Sequence, residues 1–355
     1  MTDVRSAWVR RCGQGDLIAC STLQDGMEVF ETSFGFWAHR RVLGMDITLG
    51  GPICAPDDRP EMIRRFLSRS RRPILFYIRE DLLRALDGTG LHCAGIGIDR
   101  HVDVDALLAR PAGAVRGALR KAAKARVSVE PLDLTTLDHA MRRRLEEITA
   151  RYLAGAEVTR EMTFLNRPMS LAEDGMRRVF TLRTDGHGQH GGHGGHGGIF
   201  GYAVLNPIYE QGAVTAYLLD ILRFEPTRLW GVWLSTVHAL AARLAREGVG
   251  LSLGFCPLHR VRPAPWGASR VLQAQIDWMV RYLSSAQYLR RLRELKALIP
   301  GPEEPRYLAS FSRVGLVSLY AFMEAMGVGF GYLFGPDLVK VLQQGLRSRL
   351  AWEAA

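Results

Sequence analysis

Two charged residues close an otherwise apolar run in the second half of this 355-residue chain: Asp220 and Arg223, in Leu218-Leu-Asp-Ile-Leu-Arg223. An acid there lies at the edge of a core, where its carboxylate can take a proton from an attacking hydroxyl. The arginine can hold a phosphate or a developing oxyanion. A structural Asp–Arg pair at a strand end fits the same residues equally well. Further on, Leu253-Gly-Phe-Cys-Pro-Leu258 places Gly254, which permits close backbone approach, ahead of Pro257, which ends the strand. Cys256, with His259 three residues on, invites a thiol-nucleophile reading, but buried free cysteine is far commoner than reactive cysteine. Arg290, Arg291, Arg293 and Lys296 make one helix strongly cationic, which suits a phosphate chain, although any one of these arginines is more simply a solvated side chain. Arg116, Arg120 and Lys124 stand at i, i+4 and i+8 with Lys121 beside them, an alanine-interleaved stripe that faces outward and favours RNA narrowly over plain solvent.

Both halves of the chain carry elements able to position these groups. Met27 to Phe36, Arg41 to Leu49, Pro73 to Ile78 and Leu91 to Ile98 read as strands. Pro60 to Ser70, Arg110 to Ala125 and Leu134 to Leu153 read as helices, the last with Leu137, Met141, Leu145, Ile148 and Tyr152 at three- and four-residue steps. In the second half, Arg178 to Arg183 and Ile199 to Leu205 form a hairpin, followed by a strand at Val214 to Ile221. Trp230 to Glu247 is a helix stopped by Gly248, and Gly250 to Phe255 is the next strand. Three antiparallel strands, a helix and a parallel strand are the core order of the GNAT acyltransferase fold.

Composition bounds the partners. With 47% hydrophobic and 23% charged residues the chain is globular, and 355 residues suffice for two cores. The net charge of +10 is carried by arginine, since Lys121, Lys124, Lys296 and Lys340 are the only lysines. Such a surplus favours a polyanionic partner, RNA or an anionic membrane. Cys12, Cys20, Cys54, Cys93 and Cys256 form no CxxC pair, so neither a zinc ribbon nor a disulfide framework is indicated. The first 14 residues lack a signal-peptide core, and a cytoplasmic location follows as the default. The tract from Asp185 to Gly198 holds His187, His190, His193 and His196 among glycines and reads as a low-complexity loop rather than a metal site. Val314 to Phe334 is apolar, but Glu324 and Gly327, Gly329 and Gly331 argue for a buried or interfacial segment over a membrane span. Lys340, Arg347 and Arg349 follow it, as beside anionic lipid.

In order and spacing, the segments at Leu218, Leu253 and Glu304-Pro-Arg-Tyr-Leu-Ala309 resemble the C-terminal catalytic domain of bacterial phosphatidylglycerol lysyltransferases. The similarity runs from about Phe34 to Ala309 and is specific from Leu218 onward. It implies an α+β protein of two tandem GNAT-like domains, each a mixed, mostly antiparallel sheet flanked by helices. These would be residues 1–155, then a catalytic unit over 156–313 with its Gly/His loop at 185–198, then a hydrophobic and basic extension over 314–355. The implied reaction moves an amino acid from aminoacyl-tRNA to a hydroxyl or amine, most naturally on a lipid such as phosphatidylglycerol, by a peripheral membrane enzyme. By resemblance, Asp220, Arg223, Lys296, Glu304, Arg306 and Tyr307 are the catalytic candidates, and Asp220 could also hold the donor's α-ammonium. Gly254 and Pro257 supply backbone at the active-site strand end. Arg116, Arg120, Lys121, Lys124, Arg290, Arg291 and Arg293 are the tRNA-binding candidates. Glu303 stands where the family has tryptophan, which puts a stacking role there in doubt. The family generally has a small residue at the Cys256 position, and an activated tRNA ester needs no covalent enzyme intermediate. No metal or cofactor is implied. The junction Arg223 to Gly231 lacks the glycine loop that grips coenzyme A, and Arg110 to Val115 is only a near miss. The alternatives are transfer to a small-molecule acceptor, an acyl-CoA-dependent N-acyltransferase, and a non-catalytic RNA- or membrane-binding protein.

Overall fold

The computed structural model describes residues 2–155, 163–172, 174–184, 198–225, 231–283, 287–311 and 316–327. The first half runs α1 (Thr2–Cys12), β1 (Glu28–Thr32), β2 (Gly35–Val42), β3 (Met45–Leu49), β4 (Ile53–Cys54), α2 (Arg59–Arg69), β5 (Pro73–Ile78) and α3 (Glu80–Ala85). There follow β6 (His92–His101), α4 (Val104–Ala109), α5 (Gly113–Lys124), β7 (Val127–Leu132) and α6 (His139–Gly155). The second half runs β8 (Arg178–Thr184), β9 (Ile199–Glu210), β10 (Ala213–Phe224), α7 (Val232–Arg246) and β11 (Gly250–Pro257). It ends with α8 (Arg270–Leu283), α9 (Gln287–Ala297), β12 (Glu303–Ser310) and α10 (Leu316–Ala325).

The same local chemistry recurs in each half. β2 and β3 are joined by Leu43-Gly44, and β9 and β10 by Gln211-Gly212. All four residues have positive φ, the conformation that matches a two-residue turn to the twist of its hairpin. The first turn therefore breaks the run from Arg41 to Leu49, expected as one strand, into the end of β2 and β3. A helix then returns the chain so that β5 lies parallel to β3, and β11 parallel to β10. α7 does this by burying Leu234, Val237, Leu240, Ala241 and Leu244 on one face, and it stops at Gly248 with φ +73°. Truncating Leu240, which is wholly buried, would cost about 2–5 kcal/mol. The helix expected from Leu134 begins instead at His139, because the Asp138 carboxylate accepts from the Met141 N–H at 2.7 Å and caps it.

All the strands join one sheet, in the order β1-β2-β3-β5-β12-β6-β11-β10-β9-β8-β7, with β4 on β2. The class is α+β with a mixed, mostly antiparallel sheet, as expected. What the sequence did not suggest is its continuity. β6, from the first half, pairs with β11, and β12, from the second, pairs with β5. β6 and β12 then pair with each other at the centre. α4, α5 and α7 cover one face of the second half, and α6 covers the other. α8 and α10 share an apolar cluster with Phe76, Tyr77 and Ile96 in the first half. No described helix is long and apolar enough to cross a membrane. The Gly/His tract up to Gly197 and the basic extension beyond Gly327 lie outside the described residues.

Candidate active site

The two parallel pairs end differently. β10 and β11 pair only from Ala216↔Gly250 to Leu218↔Ser252, although both strands continue for several residues. Two irregularities cause the parting. The β9–β10 register slips between Leu219 and Ile221, at Asp220, and the β11–β6 register slips between Ser252 and Gly254. Gly254 holds φ +69°, and a Cβ there would stand 2.7 Å from Leu218 Cδ1. The glycine expected for close approach is thus what lets β11 bend away from β10.

Asp220 sits where the strands part. Its carboxylate accepts from Asn166 Nδ2 at 2.8 Å, Asn206 Nδ2 at 2.9 Å and the Arg167 N–H at 3.1 Å. Burial raises its pKa to about 6 against the pull of these three donors and of Arg177. The Asn166 loop is clasped from the first half, where Gln24 exchanges two hydrogen bonds with Phe164, each of 2.7 Å. Arg223 is buried, bonds Tyr202 Oη at 3.2 Å and stands 6.0 Å over the Tyr152 ring of α6.

A second group of charges lies across β11. Lys296, buried on α9, donates from Nζ to the Phe255 carbonyl at 2.8 Å, beyond the last β10–β11 pair, and burial lowers its pKa. Arg306 on β12 is buried with Nη2 2.5 Å from Asp99 Oδ2 and 3.1 Å from Glu304 Oε2. Burial opposes its charge, but Asp99, Tyr77, Asp16 and Glu304 outweigh that and raise its pKa above the ordinary arginine value. The His101 ring, 3.5 Å away, and then Arg306 hold the half-exposed Glu304 carboxyl down to about 2. At neutral pH Glu304 is therefore a charge partner rather than a proton reservoir. The segment Asp16–Cys20 links the groups: Asp16 acts electrostatically on Arg306, while Cys20 lies within the field of Asp220.

Tyr307 does not join this cluster. Strand alternation sends its ring into the core with Trp37, Phe66 and Leu83, where burial raises its pKa to about 12. Cys256 is buried and its thiol pKa is raised by that burial, which argues against a nucleophile. Pro257 closes β11 opposite Gly97. Arg116, Arg120, Lys121 and Lys124 are exposed on α5, whose inner face holds Val115, Ala118 and Ala122. A Cβ on Gly231, just before α7, would come within 2.5 Å of the Ala118 Cβ, so α5 crosses the start of α7 closely. Arg290, Arg291 and Arg293 lie on α9, with Arg291 exposed and Arg293 half-buried. Sequence reasoning missed Asp16, Tyr77, Asp99, Asn166 and Asn206, which arrive from distant segments and carry no local motif.

The mixed sheet with its parted parallel pair thus carries a buried carboxyl of raised pKa at Asp220 and, across β11, the buried cations Lys296 and Arg306. The chain belongs to the family Phosphatidylglycerol lysyltransferase, C-terminal, which it matches over residues 7–310. No curated protein matches the sequence. Among solved structures it resembles the C-terminal domain assigned to a lysylphosphatidylglycerol synthetase from Agrobacterium fabrum, with a TM-score of 0.72 and 19% identity. That likeness covers 92% of this chain and 98% of the other. It resembles L-PGS from Bacillus licheniformis at a TM-score of 0.70 and 17% identity, over 92% of this chain and 96% of that one. FemX shares the fold more distantly, at a TM-score of 0.52 and 11% identity, over 91% and 98% of the two chains.

Proposed function

We propose that this chain is an aminoacyl-tRNA-dependent aminoacyltransferase whose acceptor is a lipid hydroxyl such as that of phosphatidylglycerol. The observation that carries the reading is the parting of β10 from β11 at Asp220, with Arg223 further along β10 and the buried cations Lys296 and Arg306 across β11. In this mechanism the acceptor hydroxyl oxygen attacks the ester carbonyl and its proton passes to the Asp220 carboxylate, whose pKa of about 6 suits a base at neutral pH. Arg223, Lys296 and Arg306 offset the negative charge that grows on the carbonyl oxygen. Collapse breaks the bond to the terminal ribose oxygen of the tRNA, which leaves with the proton that Asp220 took from the acceptor. Glu304 helps to keep Arg306 charged. The exposed α5 stripe, close to the start of α7, supports a tRNA path along Arg116, Arg120, Lys121 and Lys124, with Arg290, Arg291 and Arg293 as a second stretch.

The repeated strand–helix order supports two GNAT-like units in tandem, divided near residue 155 and sharing one sheet through exchanged strands. Exposed Phe311, Val317 and Tyr320 support contact of the α10 side with an anionic membrane from the cytoplasm. The test supplies purified protein with each charged tRNA and with lipid, small hydroxyl and amine acceptors. RNase-sensitive transfer to phosphatidylglycerol is the expected result. Transfer only to a small molecule would move the acceptor assignment, and no transfer from any charged tRNA would remove the reading.

A further inference from the structure

We infer that Asp99, braced by Tyr77, is the positioning residue that sets the orientation of the Arg306 guanidinium, so that the first half of the chain aligns a cation supplied by the second. Asp99 is wholly buried on β6 and Tyr77 lies on β5, whereas Arg306 belongs to β12. The Tyr77 hydroxyl donates to Asp99 Oδ1 at 2.5 Å, and Arg306 Nη2 lies 2.5 Å from Oδ2. The guanidinium also stands over the Tyr77 ring at 5.3 Å, so Tyr77 touches both members of the pair.

Arg306 has few other constraints. Nη1 reaches only the neighbouring Pro305 carbonyl at 3.3 Å, and Nε is buried with no hydrogen-bond partner among the described residues. Glu304 is the other carboxylate on the fork, but its side chain is 46% exposed, so solvent competes for it. Asp99, walled in, is the rigid one. Its contact with Arg306 is a close ionic approach rather than an aligned hydrogen bond, since Oδ2 meets no hydrogen-bond geometry. Ion pairs this deep are poor stabilisers, because desolvation offsets most of their attraction. An apolar pair would hold β6 to β12 at least as well. Orientation of the guanidinium is what a buried carboxylate adds, and Asp99 is also among the charges that act on Lys296. The kinetic arm below rests on the transferase reading; the spectroscopic arm does not.

Steady-state transfer from charged tRNA would be measured for wild type, Asp99→Asn, Tyr77→Phe, Arg306→Lys and the Asp99→Asn/Arg306→Lys double variant. Loss of a well-oriented cation predicts a kcat lower by roughly thirtyfold or more in Asp99→Asn, with KM for charged tRNA changed less than about threefold. In the Arg306→Lys background the same change should cost no more than about threefold further, because the group it aligns is already altered. Losses that multiply, or a near-wild-type kcat in Asp99→Asn, would overturn the proposal. Should Asp99→Asn fail to fold, Tyr77→Phe removes a single hydroxyl and enters the same cycle with Arg306→Lys. The Arg306 Nε–H resonance, assigned by its absence in Arg306→Lys, should shift in both Asp99→Asn and Tyr77→Phe. An unmoved resonance sinks the inference even if transfer is robust. A wild type inactive with every charged tRNA would end the transferase reading and leave the resonance to decide on Asp99.

Discussion

In the first half, β3 and β5 stay paired from Asp46↔Pro73 to Leu49↔Phe76, the last residue of β3, and beyond it the Gly50 N–H still donates to the Phe76 carbonyl. In the second, β10 and β11 part after Leu218↔Ser252. Each third strand carries an acid, but with opposite fates. Asp46 is tied by Arg41 Nε at 2.7 Å and Ser70 Oγ at 2.5 Å, a structural anchor in a closed seam. Asp220 occupies a register slip and faces neutral amides and a backbone N–H. The closed seam is sealed further by Trp37, whose Nε1 donates to the Gly50 carbonyl at 2.9 Å. One strand order thus yields a load-carrying half and an open half. The difference is made by a slip at one residue and a left-handed glycine across from it.

The comparison can be broken most directly at the cations. Arg223→Ala or Lys296→Ala should lower turnover more than a hundredfold, since one preorganised contact to developing charge is worth about 2.7–4 kcal/mol. Thermal melts should stay cooperative, and near-wild-type turnover in both variants would remove the open half as the site. Next comes Gly254→Ala, which places a Cβ 2.7 Å from Leu218 Cδ1 at φ +69°. Turnover should fall, and stability should drop by about 1–2 kcal/mol from left-handed strain. Gly44→Ala in the first half, at φ +73° with nothing within 4 Å, should show the strain without the loss of turnover. Equal activity losses in the two variants would mean that the parted strands are incidental.

A smaller effect concerns proton linkage. Asp220 binds its proton more tightly when folded, at about 6 against an ordinary 3.8, so the folded chain holds a proton that the unfolded chain has released. Its contribution to stability is present below about pH 4 and is lost as pH rises through about 6. Asp220→Asn should lack that slope in denaturation curves taken from pH 4 to 7, and its transfer rate should lose the rise through pH 6. Arg167, Arg177, Asp174 and Cys20 surround the same region and do not change in the variant. The smallest effect is at the surface. Replacing Arg116, Arg120 and Lys124 with alanine should raise KM for charged tRNA, leave the acceptor's nearly unchanged, and flatten the salt dependence of tRNA binding by roughly 0.7–0.9 log units per lost phosphate contact. Parallel salt slopes would reduce the stripe to plain solvated surface.

Much of the frame was legible because periodicity is local. α7 announced itself by apolar spacing and a glycine stop, and Asp220 with Arg223 stood out as charges in an apolar strand. Gly254 was readable as a point of close approach. The rest depends on which strands become neighbours, and no window of sequence contains that. Asp99 reads as the polar end of a strand until β12 is laid beside it with Arg306. Asn166 has meaning only once its loop is folded over β10. Tyr307 was set beside Arg306 by the resemblance, whereas its ring packs into the core with Trp37 and Phe66, a placement that only the sheet order reveals. A charged residue inside an otherwise buried run, such as Asp99 after Ile98, was the one signal that could have been followed.

The exchange of β6 and β12 between halves also governs how the chain reaches this structure. β5 and β6 are complete by residue 101, yet the strand that separates them begins only at Glu303. Until that strand arrives, two apolar edges wait beside one another, each a template for unwanted pairing. Contacts this distant in sequence make assembly slow, and a nascent chain emerging from the ribosome must carry the unfilled slot through most of its synthesis. Either half expressed alone would leave edges unpaired, those of β5 and β6 in the first and of β11 and β12 in the second. Fragments should therefore aggregate where the whole chain folds, and mixing the two halves should rescue solubility only when both are present from the start of refolding.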